Sequence, residues 1–256
     1  MASGKQIMFI LILIITLSFS VSIFAQSVKN IKFMTENYPP FNFKENGNLQ
    51  GISVDLLTAA MKKIDPTFNH SKIELLPWAR GYKIVQNEKN TCLFAMTRTE
   101  ARENLFKWAG PLAPALIVLT AKKSNHIKIN SIDDLKKYNI GTVIEDVGEQ
   151  LLNEKGISND KLDRIGGTNA INISIKKLDK GRIDLFSYDS NVLKWKIKQN
   201  GLNPNDYETV YVLKKGKLSF AFNKNTPDKV VNQIQKAIDE VKKDGTYQKI
   251  LDKYLK

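Results

Sequence analysis

Cysteine is all but missing from this sequence of 256 residues: Cys92 is the only one. A lone cysteine excludes an internal disulfide framework and any cysteine-cluster zinc or iron–sulfur site. Cys92 stands inside an apolar run and reads as inert core rather than as a nucleophile. Histidine is scarce too. His70 and His126 both lie in polar stretches, so nothing in the sequence calls for a metal or another cofactor. Catalytic signatures are missing: there is no Gly-x-Ser-x-Gly, phosphate-binding loop, Gly-x-Gly-x-x-Gly or His-Glu-x-x-His. The scarcest charged residue is arginine. Of 39 basic residues, only Arg80, Arg98, Arg102, Arg164 and Arg182 are arginines. Lysine is the default cation, so a retained arginine marks a place that needs its planar fork, as in bidentate capture of a carboxylate, with surface ion pairs as the alternative for Arg80 and Arg98.

What is present fits an ordinary globular chain: 42% hydrophobic and 25% charged residues, which excludes general disorder. The length suits one large domain or two moderate ones. The net charge of +13 suits a nucleic acid, an anionic membrane or an acidic ligand. The first 25 residues narrow this choice. Lys5 precedes an uncharged stretch over 7–24 rich in Ile, Leu and Phe, with Ser18, Ser20 and Ser22 near its end and Ala25 after it. This reads as an export signal over 1–25, cleaved after Ala25 or alternatively after Ser27. An uncleaved anchor is the rival, because the stretch is near the spanning limit. No cysteine follows the signal to carry a lipid, so the expected product diffuses freely in the periplasm, away from nucleic acid.

Downstream the pattern alternates. Strands are predicted over 31–35, 72–76, 91–96 and 116–121, with helices after Gly51 and over 78–87. A second set begins at Ser131, a helix N-cap, and continues with strands over 140–144, 162–165 and 184–187. Helices are predicted over 148–155, 169–180 and 190–199. Strands over 207–213 and 218–223 are separated by Lys214-Lys215-Gly216, read as a turn. Thr226-Pro227 starts a helix to 243, Asp244-Gly245 breaks it, and a short last helix follows. Such alternation predicts an α/β protein with mostly parallel sheet, arranged as two small lobes. Ligands on open α/β sheets sit at the carboxyl ends of strands, so a cleft would be lined by residues just after strands.

Several residues stand at such places. Arg102 follows a buried strand in Ala95-Met96-Thr97-Arg98-Thr99-Glu100-Ala101-Arg102, where Thr97 and Thr99 add hydroxyls to an anion cradle. Tyr38 and Trp78 follow strands beside prolines; each is a wall for a ligand or a cap on a lobe's core. Asp189 precedes a helix and is an N-cap or the partner of a ligand amine. Gly148 can offer helix N–H groups to an anion, but Glu145, Asp146 and Glu149 crowd that turn.

Together these motifs resemble the periplasmic solute-binding proteins of ABC transporters for polar amino acids. The pieces, in order, are Glu36-Asn37-Tyr38-Pro39-Pro40-Phe41, Gly51-Ile52-Ser53-Val54-Asp55-Leu56-Leu57, Thr97-Arg98-Thr99-Glu100-Ala101-Arg102, Gly181-Arg182-Ile183-Asp184 and Asp244-Gly245-Thr246-Tyr247. The resemblance covers essentially the whole chain after the signal. It implies a two-lobed fold of the type II class, with lobe 1 over 26–120 and 217–256, lobe 2 over 121–216, and two hinge strands between them. It implies a monomer that closes on an amino-acid-like ligand and delivers it to an inner-membrane ABC permease. It implies that Tyr38 stacks on the ligand, that Trp78 is a second wall, and that Arg102, helped by Thr97 beyond Ala95, grips the α-carboxylate. Asp189 would grip the α-ammonium. Many relatives carry Gly-Thr-Thr where this chain has Asp146-Val147-Gly148. The clustering of Arg98 and Arg80 near Arg102 suggests a ligand with an extra acidic group. The rival class is an exported dehydratase for prephenate-like acids on the same scaffold, with Glu145 or Asp146 as general acid.

Overall fold

A computed structural model describes residues 28–255; the expected export signal lies outside them. The chain begins with β1 (Lys32–Thr35), then a hairpin of β2 (Phe43–Glu45) and β3 (Asn48–Gln50). In α1 (Ile52–Ile64), Ile52, Leu56, Leu57, Ala60 and Met61 fall at three- and four-residue spacing and bury one face. Next come β4 (Glu74–Leu75), α2 (Trp78–Asn87), β5 (Thr91–Thr97) and the single turn α3 (Glu100–Glu103). β6 (Phe106–Lys122) leads to β7 (Ile140–Val143), α4 (Val147–Glu154), β8 (Leu162–Ile165), α5 (Ala170–Asp179), β9 (Leu185–Asp189) and α6 (Ser190–Gln199). β10 (Tyr207–Asn223), α7 (Asp228–Lys243) and α8 (Thr246–Leu255) complete the order.

Eight strands form one sheet in the order β4-β1-β5-β10-β6-β9-β7-β8. β1 pairs in parallel with β4 and β5, and β7 in parallel with β8 and β9. β10 runs antiparallel to β5 and β6, and β6 antiparallel to β9. The sheet is therefore parallel at both ends, in four of its seven pairings, and antiparallel in the middle. One half of the molecule is built on β4, β1 and β5, the other on β9, β7 and β8. β6 and β10, 17 residues each, belong to both.

The length of β6 and β10 corrects the sequence reading. Lys214-Lys215-Gly216 is not a turn: the three residues pair with Ile117, Leu116 and Ala115 inside the ladder. Their backbone groups are satisfied by β6, so turn propensity has nothing to gain there. Gly216 has a different role, since a Cβ on it would lie 3.2 Å from Thr97 Cγ2. The stretch after Ser131 is a 3₁₀ helix over Ile132–Lys137, closed by a capping box in which Asp134 accepts the Ser131 N–H.

Phe33, Leu57, Phe94, Phe220 and Ile238 pack in the core of the first half, with Cys92 fully buried among them. Ile140, Leu152, Leu162 and Leu185 fill the second. Phe186 and Tyr188 of β9 belong to the same apolar cluster as Phe94 and Tyr38, so packing is continuous across the seam. The last helix closes on the first: the Tyr254 hydroxyl accepts the Gly51 N–H at 3.0 Å and donates to Asp55 at 2.9 Å. Lys253 adds an ion pair to Asp55 at 2.8 Å.

Candidate functional site

The ends of β1, β5, β7 and β9 converge where the two halves meet. After β1 the chain turns sharply: the Tyr38 N–H donates to Asn42 O at 2.6 Å, and Asn42 Nδ2 donates to Glu36 O at 2.6 Å. This tight loop fixes the buried Tyr38 ring 5.7 Å from Phe41 and 5.6 Å from Tyr188 of the other half. Trp78 opens α2, stacks on Tyr82 at 5.5 Å, and donates its Nε1–H to Glu145 O across the seam at 2.6 Å.

Arg102 is the most deeply buried cation among the described residues, only 1% exposed. Thr99 caps its turn by accepting the Arg102 N–H. The guanidinium lies 5.3 Å from the Trp78 ring and 5.0 Å from the Tyr82 ring. Its Nε donates to Gln150 Oε1 at 2.8 Å, and its terminal nitrogens donate to Thr97 O at 3.3 Å and Glu145 O at 3.4 Å. Burial lowers its pKa, while Tyr82, Asp146 and Glu36 hold it up. Ala95 lies two residues before Thr97 with a φ of 59°, where the β5–β10 register shifts. Such a bulge bends the strand and re-aims its end.

Asp189 ends β9 and caps α6. Its Oδ1 accepts the Asn191 and Val192 N–H groups at 2.9 and 3.2 Å, and its Oδ2 accepts the Leu116 N–H of β6 at 2.9 Å. Burial raises its pKa, and those three donors hold it down. The capping reading is thus realised, in a carboxylate whose field also reaches Tyr38. Gly148 has its N–H taken by Asp146 Oδ1 at 3.0 Å. A Cβ there would lie 2.2 Å from Ser187 Oγ, so close approach of α4 to β9 requires the glycine.

The remaining arginines are elsewhere. Arg98 is exposed, donates to Glu103 Oε2 at 2.7 Å, and lies over Trp108 at 5.5 Å. Arg80 is exposed on α2. Neither enters the seam, which removes their support for a ligand with an extra acidic group. Arg164 forks onto Glu149 within the second half, at 2.8 Å for both bonds.

Three charged residues at the seam were not among the expected ligand-binding residues, although Asp146 was named as crowding the Gly148 turn and as a general acid in the rival reading. Glu36, just after β1, is 7% exposed; burial and Asp146 raise its pKa, opposed by Arg102 and Lys196. Asp146, just after β7, is pushed up to about 6 by burial, against the Gly148 N–H and Arg102. Lys196 is 6% exposed; burial lowers its pKa and Glu36 draws it back up. The signals existed. Glu36 and Asp146 both follow strands, and Lys196 sits with Val192, Leu193 and Ile197 on the buried stripe of α6. A lysine on an apolar stripe needs a reason.

Charges of both signs, shut between two halves that share two long strands, are what encloses a small polar molecule: this is the architecture of a solute-binding protein. The chain belongs to the bacterial extracellular solute-binding proteins, family 3, and matches that family's pattern over residues 31–256. It is 31% identical over 223 residues to the probable amino-acid-binding protein YxeM of Bacillus subtilis (strain 168), covering 84% of this chain and 79% of that protein. It is 27% identical over 222 residues to a probable histidine-binding protein of Campylobacter jejuni, covering 85% and 81%. Among solved structures it resembles an ABC uptake transporter substrate-binding protein of Streptococcus pneumoniae with bound histidine, at a TM-score of 0.75 and 19% identity, covering 89% and 93%. Among the described residues, no helix is long and apolar enough to cross a membrane.

Proposed function

We propose that this chain captures a polar α-amino acid in the periplasm and hands it to an inner-membrane ABC permease. The observation that carries the reading is that buried Arg102 of the first half and buried Asp189 of the second both act on the Tyr38 hydroxyl, with Trp78 stacked near Arg102 and bonded across the seam to Glu145 O. The guanidinium is the counter-ion for an α-carboxylate and Asp189 for an α-ammonium, with lobes over 26–120 plus 217–256 and over 121–216 closing by bending at β6 and β10. The seam holds the acids Glu36, Asp146 and Asp189 against the bases Arg102 and Lys196. An acidic side chain would add to the majority sign, so the ligand is neutral or cationic beyond its α-groups. The matched relatives are named as binding proteins, which supports binding rather than turnover.

Calorimetric titration of Arg102→Ala and Arg102→Lys with a panel of amino acids tests the assignment. Truncating one partner of a buried charge pair costs about 2–5 kcal/mol, so the alanine variant loses at least about tenfold in affinity. The lysine variant keeps the charge without the fork and falls between. Unchanged affinity in a folded alanine variant refutes the role.

A further inference from the structure

Capture of a carboxylate by Arg102 needs the guanidinium held in one orientation, and the first half does only part of that holding. A guanidinium carries one N–H on Nε and two on each terminal nitrogen. Within its own half, one terminal nitrogen reaches Thr97 O at 3.3 Å, and the Trp78 and Tyr82 rings flank the group. The shortest bond comes from the other half, where Nε donates to Gln150 Oε1 at 2.8 Å. The Gln150 carboxamide is fixed in turn, because its Nε2 donates to Glu145 O at 3.3 Å. The same carbonyl takes the Trp78 indole N–H at 2.6 Å and the other terminal nitrogen of Arg102 at 3.4 Å. Glu145 has a φ of 63°, and its N–H donates to Glu149 Oε1 at 3.0 Å. Glu149 is itself held by the Arg164 fork and by the Thr142 hydroxyl at 3.0 Å. Gln150 thus stands beside a turn that is tied down from behind.

We propose that Gln150 is a positioning residue for the carboxylate grip. It holds the Nε side of Arg102 from the second half and leaves the terminal nitrogens to the ligand. The bond crosses the seam, so it exists only while the two halves are together. Arg102 is therefore fully oriented only on closure, and the effect falls on release of the ligand rather than on its entry. A carboxamide suits the task. It accepts from Nε and donates to Glu145 O at once, and it brings no charge. A carboxylate in its place would be a permanent counter-ion to Arg102 and would repel the ligand's own carboxylate. The inference rests on the amino-acid-binding reading and deepens it.

The test combines NMR with stopped-flow kinetics, using the amino acid that binds most tightly among histidine, glutamine, arginine and lysine. Arginine is so scarce that isotope labelling of this residue alone gives five Nε–H signals, and Arg102→Lys identifies the one that matters. In the wild type saturated with the amino acid, the Arg102 Nε–H exchanges slowly with solvent. Gln150 is half-buried at the edge of the seam, so Gln150→Met is compatible with the fold. At saturation this variant loses the slow exchange. It releases the amino acid about tenfold faster, with its association rate within about threefold of the wild type. Gln150→Glu keeps an acceptor for Nε, so it retains the slow exchange at saturation while binding more weakly. A residue that only stiffened α4 would leave the Arg102 signal unmoved. Fast exchange of that signal in the saturated wild type, slow exchange in Gln150→Met, or an unchanged release rate in Gln150→Met overturns the proposal. If the wild type binds none of the four amino acids, the reading of the function itself fails instead.

Discussion

Asp189 joins three elements through one carboxylate, and its removal should be felt before any ligand is added. Oδ1 caps α6 through the Asn191 and Val192 N–H groups, and Oδ2 receives the Leu116 N–H of β6. Truncation to alanine loses an N-cap, about 1 kcal/mol. It also leaves the Leu116 N–H unpaired in a partly buried place, about 1–3 kcal/mol. The expected loss is about 2–4 kcal/mol. Asparagine separates the two parts. Its oxygen can still cap α6, while its amide meets the Leu116 N–H donor to donor, so the loss falls to about 1–3 kcal/mol. Equilibrium urea unfolding at pH 7 without ligand measures both, and for a slope of about 2 kcal/mol per molar the alanine midpoint drops by about 1–2 M. An alanine variant within about 0.5 kcal/mol of the wild type would show that the carboxylate does not hold this joint and would refute the reasoning.

Asp146 should make stability depend on pH. Between its ordinary 3.8 and about 6 the folded form keeps a proton that the unfolded form has released, so stability falls as pH rises through that window and is flat above it. The full effect is about 3 kcal/mol. Asp146→Asn keeps the cap on Gly148 and should be more stable than the wild type at pH 8 and similar at pH 4; urea unfolding at both values, with no difference at pH 8, would contradict this. Gly148→Ala places a methyl against Ser187 and should cost about 1–3 kcal/mol by thermal unfolding, with Ser187→Gly restoring much of it. An additive double variant would show that the two residues do not compete for the same space.

Local chemistry made much of the fold legible. The helix over Trp78–Asn87, the strand over Leu162–Ile165 and the helix over Ser190–Gln199 have the bounds their apolar spacing predicts. The long strands were not legible. The part of β6 before Leu116, which carries Gly110, Pro111 and Pro114, was not predicted as strand, and Lys214-Lys215-Gly216 of β10 read as a turn. Only pairing of β6 with β10 makes them strand, and pairing between distant segments has no local signature. At the seam, Trp78 and Thr97 meet Arg102, and Arg102 and Asp189 both act on Tyr38, because each ends or follows a strand or opens a helix. Arg98 and Arg80 do not, since closeness in sequence to Arg102 says nothing about which way a side chain faces across a turn. Lys196 was hidden by its surroundings: in a lysine-rich chain, one buried lysine looks like the rest until its neighbours at three- and four-residue spacing are checked.

The clasp of α8 on α1 bears on the order in which the molecule can be made. Asp55 and Gly51 wait for Tyr254 and Lys253, which belong to the last of the described elements to be synthesised. The elements from β7 to α6 are contiguous and can collapse on one another as soon as they appear. The first half is begun earlier and finished later, because its closing helix is synthesised after every other described element. Until α8 is added, the nascent chain carries one half able to fold and another still open, a partly folded state of the kind that chaperones recognise.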